Sequence, residues 1–357
     1  MTALIEHGAA FARAVSRFGL GAPAVLCHDD ADGLSAGAIL ARVFEAAGRG
    51  SVRPRVVGRG ESAWSAAMRA ELAASAPGGI VVTDLGVQAG AILPGVATVL
   101  VDHHVPRSLP EASDAVVISG HADAPVPTSS LLAHACAAAL DGDGAPDLLW
   151  LAGIGLVGDL GDRGASADFP AVMAALKKAH TAKALREVVS LVNAPRRSAS
   201  GDAGPALRLL LRARGPADIV FGIGSDADAV RAARAEVKAA LDAARAVPPL
   251  FSGPVALIRC DSPCQIHALV AQSWTHRLRR QVVIGANAAF RAGYVHFAAR
   301  SLGVADLIGF LEERGPPLGP DEQFAQGHRR ATGGQVTVET WNRFVASLGF
   351  GPEARVA

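Results

Sequence analysis

The amino-acid sequence predicts an α/β fold, with a doubly wound parallel sheet in the first half, then a helical connector and a smaller α/β domain. The first observation is that short apolar runs alternate with alanine-rich segments of helical length between residues 24 and 157. This alternation is typical of βαβ units, whose parallel strands are covered on both faces. The second observation is that several apolar runs end in aspartate or histidine. Ligands bind at that edge of an open α/β sheet.

The elements of the first half follow from this pattern. A short amphipathic helix is predicted over residues 1–19, packed on the first domain. Strands are predicted near residues 24–27, 53–57, 80–83 and 97–101. Helices are predicted near residues 35–48, 62–75, 128–140 and 146–157.

The second half begins with mostly helical sequence over residues 170–250, with breaks predicted at Asn193-Ala194-Pro195 and at Gly215-Pro216. Its longest helix should run from Ser225 to Arg245. A second, smaller α/β domain follows from strands predicted at residues 255–259, 281–285 and 294–299 and a helix near 265–278.

Composition limits the class of protein. A chain of 357 residues can build two hydrophobic cores, and a hydrophobic fraction of 50% with mixed charge indicates a globular protein. No apolar run is long enough to cross a membrane and no secretory signal is apparent, so we expect a cytoplasmic protein without a membrane partner. Four scattered cysteines argue against a disulfide framework.

Charge is distributed unevenly between the two halves. Residues 1–190 contain 14 basic and 19 acidic side chains, whereas residues 191–357 contain 20 and 14. An acidic half suits divalent cations and a basic half suits a phosphate-rich substrate, so a cleft between the halves could hold both. A chance imbalance of solvated charges is the alternative.

The first candidate site residues are His28, Asp30 and Asp32, which directly follow an apolar run. They stand at alternate positions, so an extended backbone would point them to one side and gather negative charge that needs a counterion. An acidic surface turn with a helix N-cap is the alternative interpretation.

Three later apolar runs end in the same residue types, at Thr83-Asp84-Leu85-Gly86, Asp102-His103-His104 and Gly158-Asp159. With His28-x-Asp30-x-Asp32-Gly33, these stretches resemble the four motifs of the DHH phosphoesterase family, in the family's order. The triplet after a buried strand is the most specific of the four. The resemblance implies a DHH catalytic domain over residues 1–190.

The second half resembles the associated DHHA1 domain, which implies a connector over residues 191–250 and a substrate-binding domain over 251–357. Val295–Ser301 is similar to a strand that ends in S-x-R-S, and Gln326–Gly334 is similar to the G-G-G-H-x-x-A-A-G loop. Ala298 and Gln326 depart from the family's serine and glycine. Glycines in this stretch would let backbone N–H groups approach a phosphate.

The resemblance also implies ligands and roles. Two divalent cations are expected, with Mn²⁺ preferred and Mg²⁺ possible, because the donors are oxygen and imidazole without thiolate. Asp84 would contact both ions, and a metal-activated water would displace the leaving group at phosphorus. The expected metal ligands are His28, Asp30, Asp32, Asp84, His103 and Asp159. The expected catalytic residues are Asp102, which would orient the site, and His104, which would face the scissile phosphate. The expected substrate-binding residues are His104, Arg300, Ser301, Gly327 and His328.

These expectations describe a phosphodiesterase of the RecJ-like exonuclease branch, acting on single-stranded DNA or short RNA oligonucleotides. A phosphodiesterase for linear or cyclic dinucleotides is the main alternative. A nucleotide-binding regulatory protein without turnover is a second alternative. A Rossmann enzyme is a third, although G-x-G-x-x-G does not follow the first strand. Aromatic residues make up 5% of the chain, which argues against an extended base-stacking platform. The oligomeric state stays open, with a homodimer among the options.

Overall fold

The computed structural model describes residues 2–140, 148–279 and 281–357, except for the side chain of His328. The chain packs into two compact units. Unit 1 comprises Met1–Arg196 and Gly201–Arg231, and unit 2 comprises Arg197–Ser200 and Ala232–Ala357. The expected functional division at residues 190 and 250 stays a prediction.

In the first 140 residues of unit 1, five strands are interspersed with four helices, the last three strands follow one another without a helix between them, and every element described after residue 147 is a helix. Its elements, in chain order, are α1 Thr2–Val15, β1 Ala24–His28, α2 Ala31–Ala46, β2 Arg55–Val57, α3 Ala66–Ser75, β3 Ile80–Thr83, β4 Thr98–Asp102, β5 Val116–Ser119, α4 Ser129–Leu140, α5 Leu149–Asp168, α6 Pro170–Ala179, α7 Ala182–Arg197, α8 Gly204–Arg212, α9 Pro216–Val220 and the start of α10 Ser225–Arg245.

The sheet of unit 1 confirms the predicted doubly wound architecture. Its five strands are parallel, in the order β2-β1-β3-β4-β5. Alternate residues face two hydrophobic layers, since Val25 and Val81 join α2, α4 and α5, whereas Leu26 and Val82 join α3. Because both faces are covered, the strand sequences are continuously apolar.

Several boundaries differ from the predicted ones. Strand β5 was not predicted, and α2 begins at Ala31 because the Asp30 side chain accepts hydrogen bonds from Asp32 N and Gly33 N as an N-cap. Helix α5 extends to Asp168, with non-helical backbone at Gly161 (φ 68°). The predicted start of this helix, at residues 146 and 147, lies outside the described residues.

The predicted helix break at Asn193-Ala194-Pro195 is wrong. Helix α7 continues through Pro195 to Arg197. Pro195 lies two residues from the helix end, where the missing N–H costs a single intrahelical hydrogen bond. The continuation matters because it carries Asn193 and Arg196 toward the end of β1, where Asn193 Oδ1 accepts a hydrogen bond from Ala31 N.

Unit 2 is a second, smaller α/β unit. Its elements are the end of α10, β6 Leu250–Ser252, β7 Val255–Cys260, α11 His267–Thr275, β8 Val282–Arg291, β9 Tyr294–Ser301, α12 Leu307–Glu312, β10 Gln323–His328, β11 Ala331–Thr337, α13 Val338–Ser347 and a 3₁₀ turn Pro352–Ala354. The strand order is β10-β11-β9-β8-β7-β6, and among the described residues β7 and β8 pair in parallel while the other neighbours pair antiparallel. Helix α11 packs on one face, while α12 and α13 pack on the other.

The glycine-rich stretch Gln326–Gly334 is a β-hairpin and not a loop. It comprises the end of β10, a turn at residues 329–330 and the start of β11. Its glycines serve strand packing, because a Cβ at Gly333 or Gly334 would collide with the carbonyl oxygen of Phe297 or Gln323. Space for the neighbouring backbone therefore explains these two glycines without a phosphate.

No helix within the described residues is both long and apolar enough to cross a membrane.

Candidate metal centre

The carboxyl ends of β1, β3 and β4 meet at one edge of the unit 1 sheet, and the predicted metal-binding side chains converge there. His28 is the last residue of β1, Asp84 directly follows β3, and His103 directly follows β4. The remaining three carboxylates are Asp30, the N-cap of α2, Asp32 in the first turn of α2, and Asp159 in α5.

The side chains of the first motif converge through a tight turn, and the extended backbone predicted for them is wrong. An extended backbone does not present His28, Asp30 and Asp32 together, because the strand ends at His28 and the helix has begun by Asp32. Asp30 lies between them as the N-cap. The three side chains converge because the chain turns tightly from strand to helix. Gly33 permits this turn, because a larger residue at this position would place its Cβ 2.5 Å from the Cβ of His28.

Three groups of potential metal ligands form here among the described residues, and two of them contain the predicted metal ligands alone. In the first group, His28 Nδ1 lies 3.0 Å from Asp30 Oδ2 and 3.4 Å from Asp84 Oδ2. In the second group, His103 Nε2 lies 3.4 Å from Asp159 Oδ2 and 4.0 Å from Asp32 Oδ2. In each group the donor atoms lie within 4.8 Å of one another, a spacing that a single cation could occupy.

Asp84 is a member of the first group and contacts His103 of the second through its other oxygen, and with His103 and His104 it forms the third group. Its Oδ2 faces His28, and its Oδ1 lies 3.4 Å from His103 Nε2 and accepts a hydrogen bond from Ser129 Oγ at 3.0 Å. The residue is 5% exposed and has a left-handed backbone, with φ of 62°. Such backbones are costly for residues other than glycine and cluster at functional sites. The carboxylate is therefore held between two groups of potential ligands.

Helix α4 contributes two donors that the sequence did not reveal. Ser129 N and Ser130 N donate to the two oxygens of Asp32, at 2.7 and 3.0 Å. Both amides belong to the first turn of α4, where backbone N–H groups lack helical partners. A fully buried carboxylate is thus fixed by backbone donors. The one sequence signal was the hydroxyl-rich run that begins at Thr128.

Burial and crowding perturb the titration of these side chains. Burial alone would lower the pKa of His28, but the adjacent Asp30 carboxylate raises it to about 10. Burial would likewise lower the pKa of His103, but Asp84 and Asp32 raise it to about 9. Burial and repulsion from Asp84 raise the pKa of Asp32 to about 7, and burial with repulsion from Asp32 and Asp84 raises that of Asp159 to about 8. Protons on these side chains therefore compensate the negative charge that is crowded at the site.

Divalent cations fit this donor set. His28 Nδ1 and His103 Nε2 are buried, and neither has a hydrogen bond of good geometry among the described residues. Each nitrogen nevertheless faces carboxylate oxygens at 3.0–4.0 Å. Buried polar atoms rarely lack partners in native proteins, and a cation shared with these carboxylates would supply one to each nitrogen. Oxygen and imidazole donors suit Mn²⁺ or Mg²⁺.

Asp102 and His104 form a unit beside the two groups. Asp102 is 1% exposed, and its carboxylate accepts hydrogen bonds from Gly86 N at 2.7 Å, His104 N at 2.7 Å and the His104 ring at 3.1 Å. Hydrogen bonding to Asp102 raises the pKa of His104, whose side chain is 53% exposed. Among the described residues, the imidazole ring that Asp102 contacts is that of His104.

Two residues of the cluster were not predicted from the sequence. Asp29, which sequence reasoning left out, is 6% exposed, with its Oδ1 3.0 Å from Arg196 Nε and 3.4 Å from His28 Nε2. Arg196, at the end of α7, also places Nη1 3.1 Å from Asp30 Oδ2. Asp162, likewise left out, pairs instead with Lys177 and Arg186.

Solved structures show which fold carries this site, although no protein-family profile and no curated protein sequence match the chain. RecJ from Thermus thermophilus, in complex with Mn²⁺, superposes with a TM-score of 0.67 at 20% identity, over 98% of this chain and 54% of that one. An exonuclease RecJ bound to manganese superposes with a TM-score of 0.63 at 21% identity, over 98% and 95%. The chain has a RecJ-like DHH fold. The DHH domain of a member of the s1p family of ribosomal proteins shares it, with a TM-score of 0.64 at 16% identity over 98% and 89% of the two chains.

The RecJ-like fold confirms the predicted fold and the predicted family likeness. The chain spans about half the length of the Thermus protein. These similarities establish the architecture of both units, while the roles of individual residues stay predictions.

The predicted substrate-binding residues of unit 2 differ in their surroundings. Arg300, on β9, is half-buried, and no acidic side chain of the described chain pairs with it; burial lowers its pKa. Ser301 is 2% exposed, and its hydroxyl donates to Gln281 O and accepts from Gly303 N and Val304 N. This geometry gives Ser301 a structural role. Gly327 has φ of 127° in β10, and the His328 side chain lies outside the described residues.

Proposed function

We propose that the chain is a metal-dependent phosphoesterase that hydrolyses phosphodiester bonds of single-stranded DNA or short RNA oligonucleotides, as a RecJ-like exonuclease. The position of Asp84 carries this proposal. One carboxylate, in a strained backbone conformation, offers its two oxygens to two separate groups of metal-binding side chains. That arrangement suits a pair of divalent cations.

His28, Asp30 and Asp84 would hold one cation, and Asp32, Asp84, His103 and Asp159 would hold the other. When bound, such a pair supplies an activated water and stabilises the attacking and leaving oxygens at phosphorus. The structures of RecJ with Mn²⁺ and Mg²⁺ support this choice of metals.

The side chains around the cations would position the substrate and move protons. Asp102 holds the His104 ring by a hydrogen bond and favours its protonated form. Because the ring is half exposed, it can donate a hydrogen bond to an oxygen of the scissile phosphate. Ser129 and Ser130 keep Asp84 and Asp32 oriented, so the carboxylates need not rearrange when the substrate binds.

Arg300 would bind a further phosphate of the substrate. Since no acidic side chain among the described residues pairs with it, Arg300 is available for a charge-assisted, bidentate contact with phosphate oxygens. The predicted roles of Gly327 and His328 belong to the same proposal.

A linear or cyclic dinucleotide is the second candidate substrate. The low aromatic content favours it, because binding of long single strands usually relies on several stacked bases. Mn²⁺-loaded protein tested on dinucleotides, short RNA and long single-stranded DNA distinguishes the candidates. Hydrolysis of none of these substrates, with metal bound, would contradict the proposed activity.

A further inference from the structure

The guanidinium of Arg196 lies against the first group of ligands. Its Nη1 is 3.1 Å from Asp30 Oδ2, the same oxygen that lies 3.0 Å from His28 Nδ1. Its Nε is 3.0 Å from Asp29 Oδ1. The side chains of Arg196, Asp29 and Asp30 are 21%, 9% and 18% exposed, so water screens these charges only partly.

The second group of ligands has different charged neighbours. Among the residues that the structure describes, no lysine or arginine forms an ion pair with Asp32 or Asp159, whose charged neighbour is His103. Backbone amides of Ser129 and Ser130 compensate Asp32 instead, and they carry partial rather than full charges. The two groups therefore offer similar ligands in different electrostatic surroundings.

We propose that Arg196 makes the two cation positions unequal, so that the His28–Asp30–Asp84 position binds its ion more weakly than the Asp32–His103–Asp159 position. The inference rests on the proposed two-cation site. A fixed positive charge near a divalent cation raises the free energy of the bound state, and partial burial preserves this repulsion. Arg196 also shares an Asp30 oxygen that the ion needs. One ion is then resident, the other exchanges, and hydrolysis follows the free concentration of divalent cation.

A purely structural role for Arg196 makes the opposite prediction. If Arg196 only held Asp30 in position, its removal would misplace a ligand and weaken metal binding. If it opposes the ion, its removal strengthens binding at one position. The sign of the change therefore separates the two roles.

Mn²⁺ titration of the full chain by calorimetry tests the inference without reference to activity. The wild type should bind two ions in two classes at least about tenfold apart in affinity, which corresponds to about 1.4 kcal/mol. Arg196→Gln should tighten the weaker class by about tenfold and leave the tighter class within about twofold. Arg196→Lys, which keeps the charge, should resemble the wild type. Asp159→Asn should remove the tighter class and so assign it.

The matched control is Arg186→Gln, on the same helix, whose partner Asp162 lies outside the two groups. It should leave both classes unchanged. If Arg196→Gln does not fold, Asp29→Asn replaces it. Loss of the Asp29 carboxylate leaves the Arg196 charge opposed by Asp30 alone. The Mn²⁺ affinity of the weaker class should then fall several-fold, while that of the tighter class stays constant.

Each other result overturns the inference. Arg196 does not separate the positions if the wild type binds two ions with equal affinity. The same holds if Arg196→Gln weakens or leaves unchanged the lower-affinity class, or if Asp29→Asn affects both classes equally. Absence of saturable Mn²⁺ binding would overturn the inference together with the two-cation site. The predicted asymmetry without hydrolysis of any phosphodiester would refute the proposed activity alone.

Discussion

Substitution of Asp84 by asparagine removes the carboxylate that the two ligand groups share. Asparagine has nearly the same size and tolerates the left-handed backbone of this position, so the substitution changes mainly the charge. A charge-assisted contact contributes about 1.5–3 kcal/mol, and Asp84 offers one such contact to each cation. The sum of about 3–6 kcal/mol corresponds to a loss of about 10²–10⁴-fold in the joint affinity for two Mn²⁺ ions.

The same substitution should reduce the stabilisation that Mn²⁺ confers on the protein. The charge of Asp84 raises the pKa of Asp32 and of Asp159, which shows that like charges crowd the site in the absence of a cation. A bound cation would offset this repulsion in the wild type. We therefore expect Mn²⁺ to raise the melting temperature of the wild type by more than that of Asp84→Asn.

Calorimetric titration with Mn²⁺ and thermal unfolding with and without Mn²⁺ measure both effects. Asp228→Asn is the control, because Asp228 is 76% exposed and pairs only with Arg231 among the described residues. Unchanged Mn²⁺ affinity in Asp84→Asn, or a drop in affinity equal to that of Asp228→Asn, would refute the shared-ligand assignment. An equal rise in melting temperature with Mn²⁺ in the wild type and in Asp84→Asn would refute it as well.

Three further predictions concern protons, the exposed histidine and the arginine of unit 2. Because the raised pKa values of His28 and His103 keep both rings protonated at neutral pH, Mn²⁺ must displace protons, and its affinity should rise as the pH increases toward 9–10. Titrations in buffers of different ionisation enthalpy measure this proton release, and an Mn²⁺ affinity that does not change with pH would argue against these ligands. His104→Gln should lower kcat by about 10²-fold or more while Mn²⁺ affinity changes little, and Asp102→Asn should lower kcat by a smaller factor. A parallel loss of Mn²⁺ binding in His104→Gln would instead identify His104 as a metal ligand. Arg300→Ala should raise KM for oligonucleotides by about ten- to a hundredfold through loss of a phosphate contact, without changing hydrolysis of a small artificial phosphodiester; equal losses on both substrates would exclude a substrate role for Arg300.

The parts of the fold that sequence predicted are those with a strong local signal. Strands β1, β3 and β4 are buried on both faces and therefore read as unbroken apolar runs. The polar residues at their carboxyl ends identified the edge of the sheet where the candidate site lies. The hairpin of β10 and β11 was missed because its glycines resemble a loop, whereas pairing with β9 over seven residues determines its structure.

The missed members of the site depend on contacts distant in the chain. Ser129 lies 97 residues from Asp32, and Arg196 lies 166 residues from Asp30. Neither has a local pattern that marks it, and a proline one residue before Arg196 suggested that the helix had already ended. Tertiary packing, which no local periodicity encodes, brings these residues to the end of β1.

Anomalous diffraction from crystals of the protein grown with Mn²⁺ would locate the bound ions directly. We expect two peaks in unit 1, one contacted by His28, Asp30 and Asp84 and the other by Asp32, Asp84, His103 and Asp159. A single peak that Asp84 does not contact, or Mn²⁺ bound only elsewhere, would contradict the proposed two-cation site.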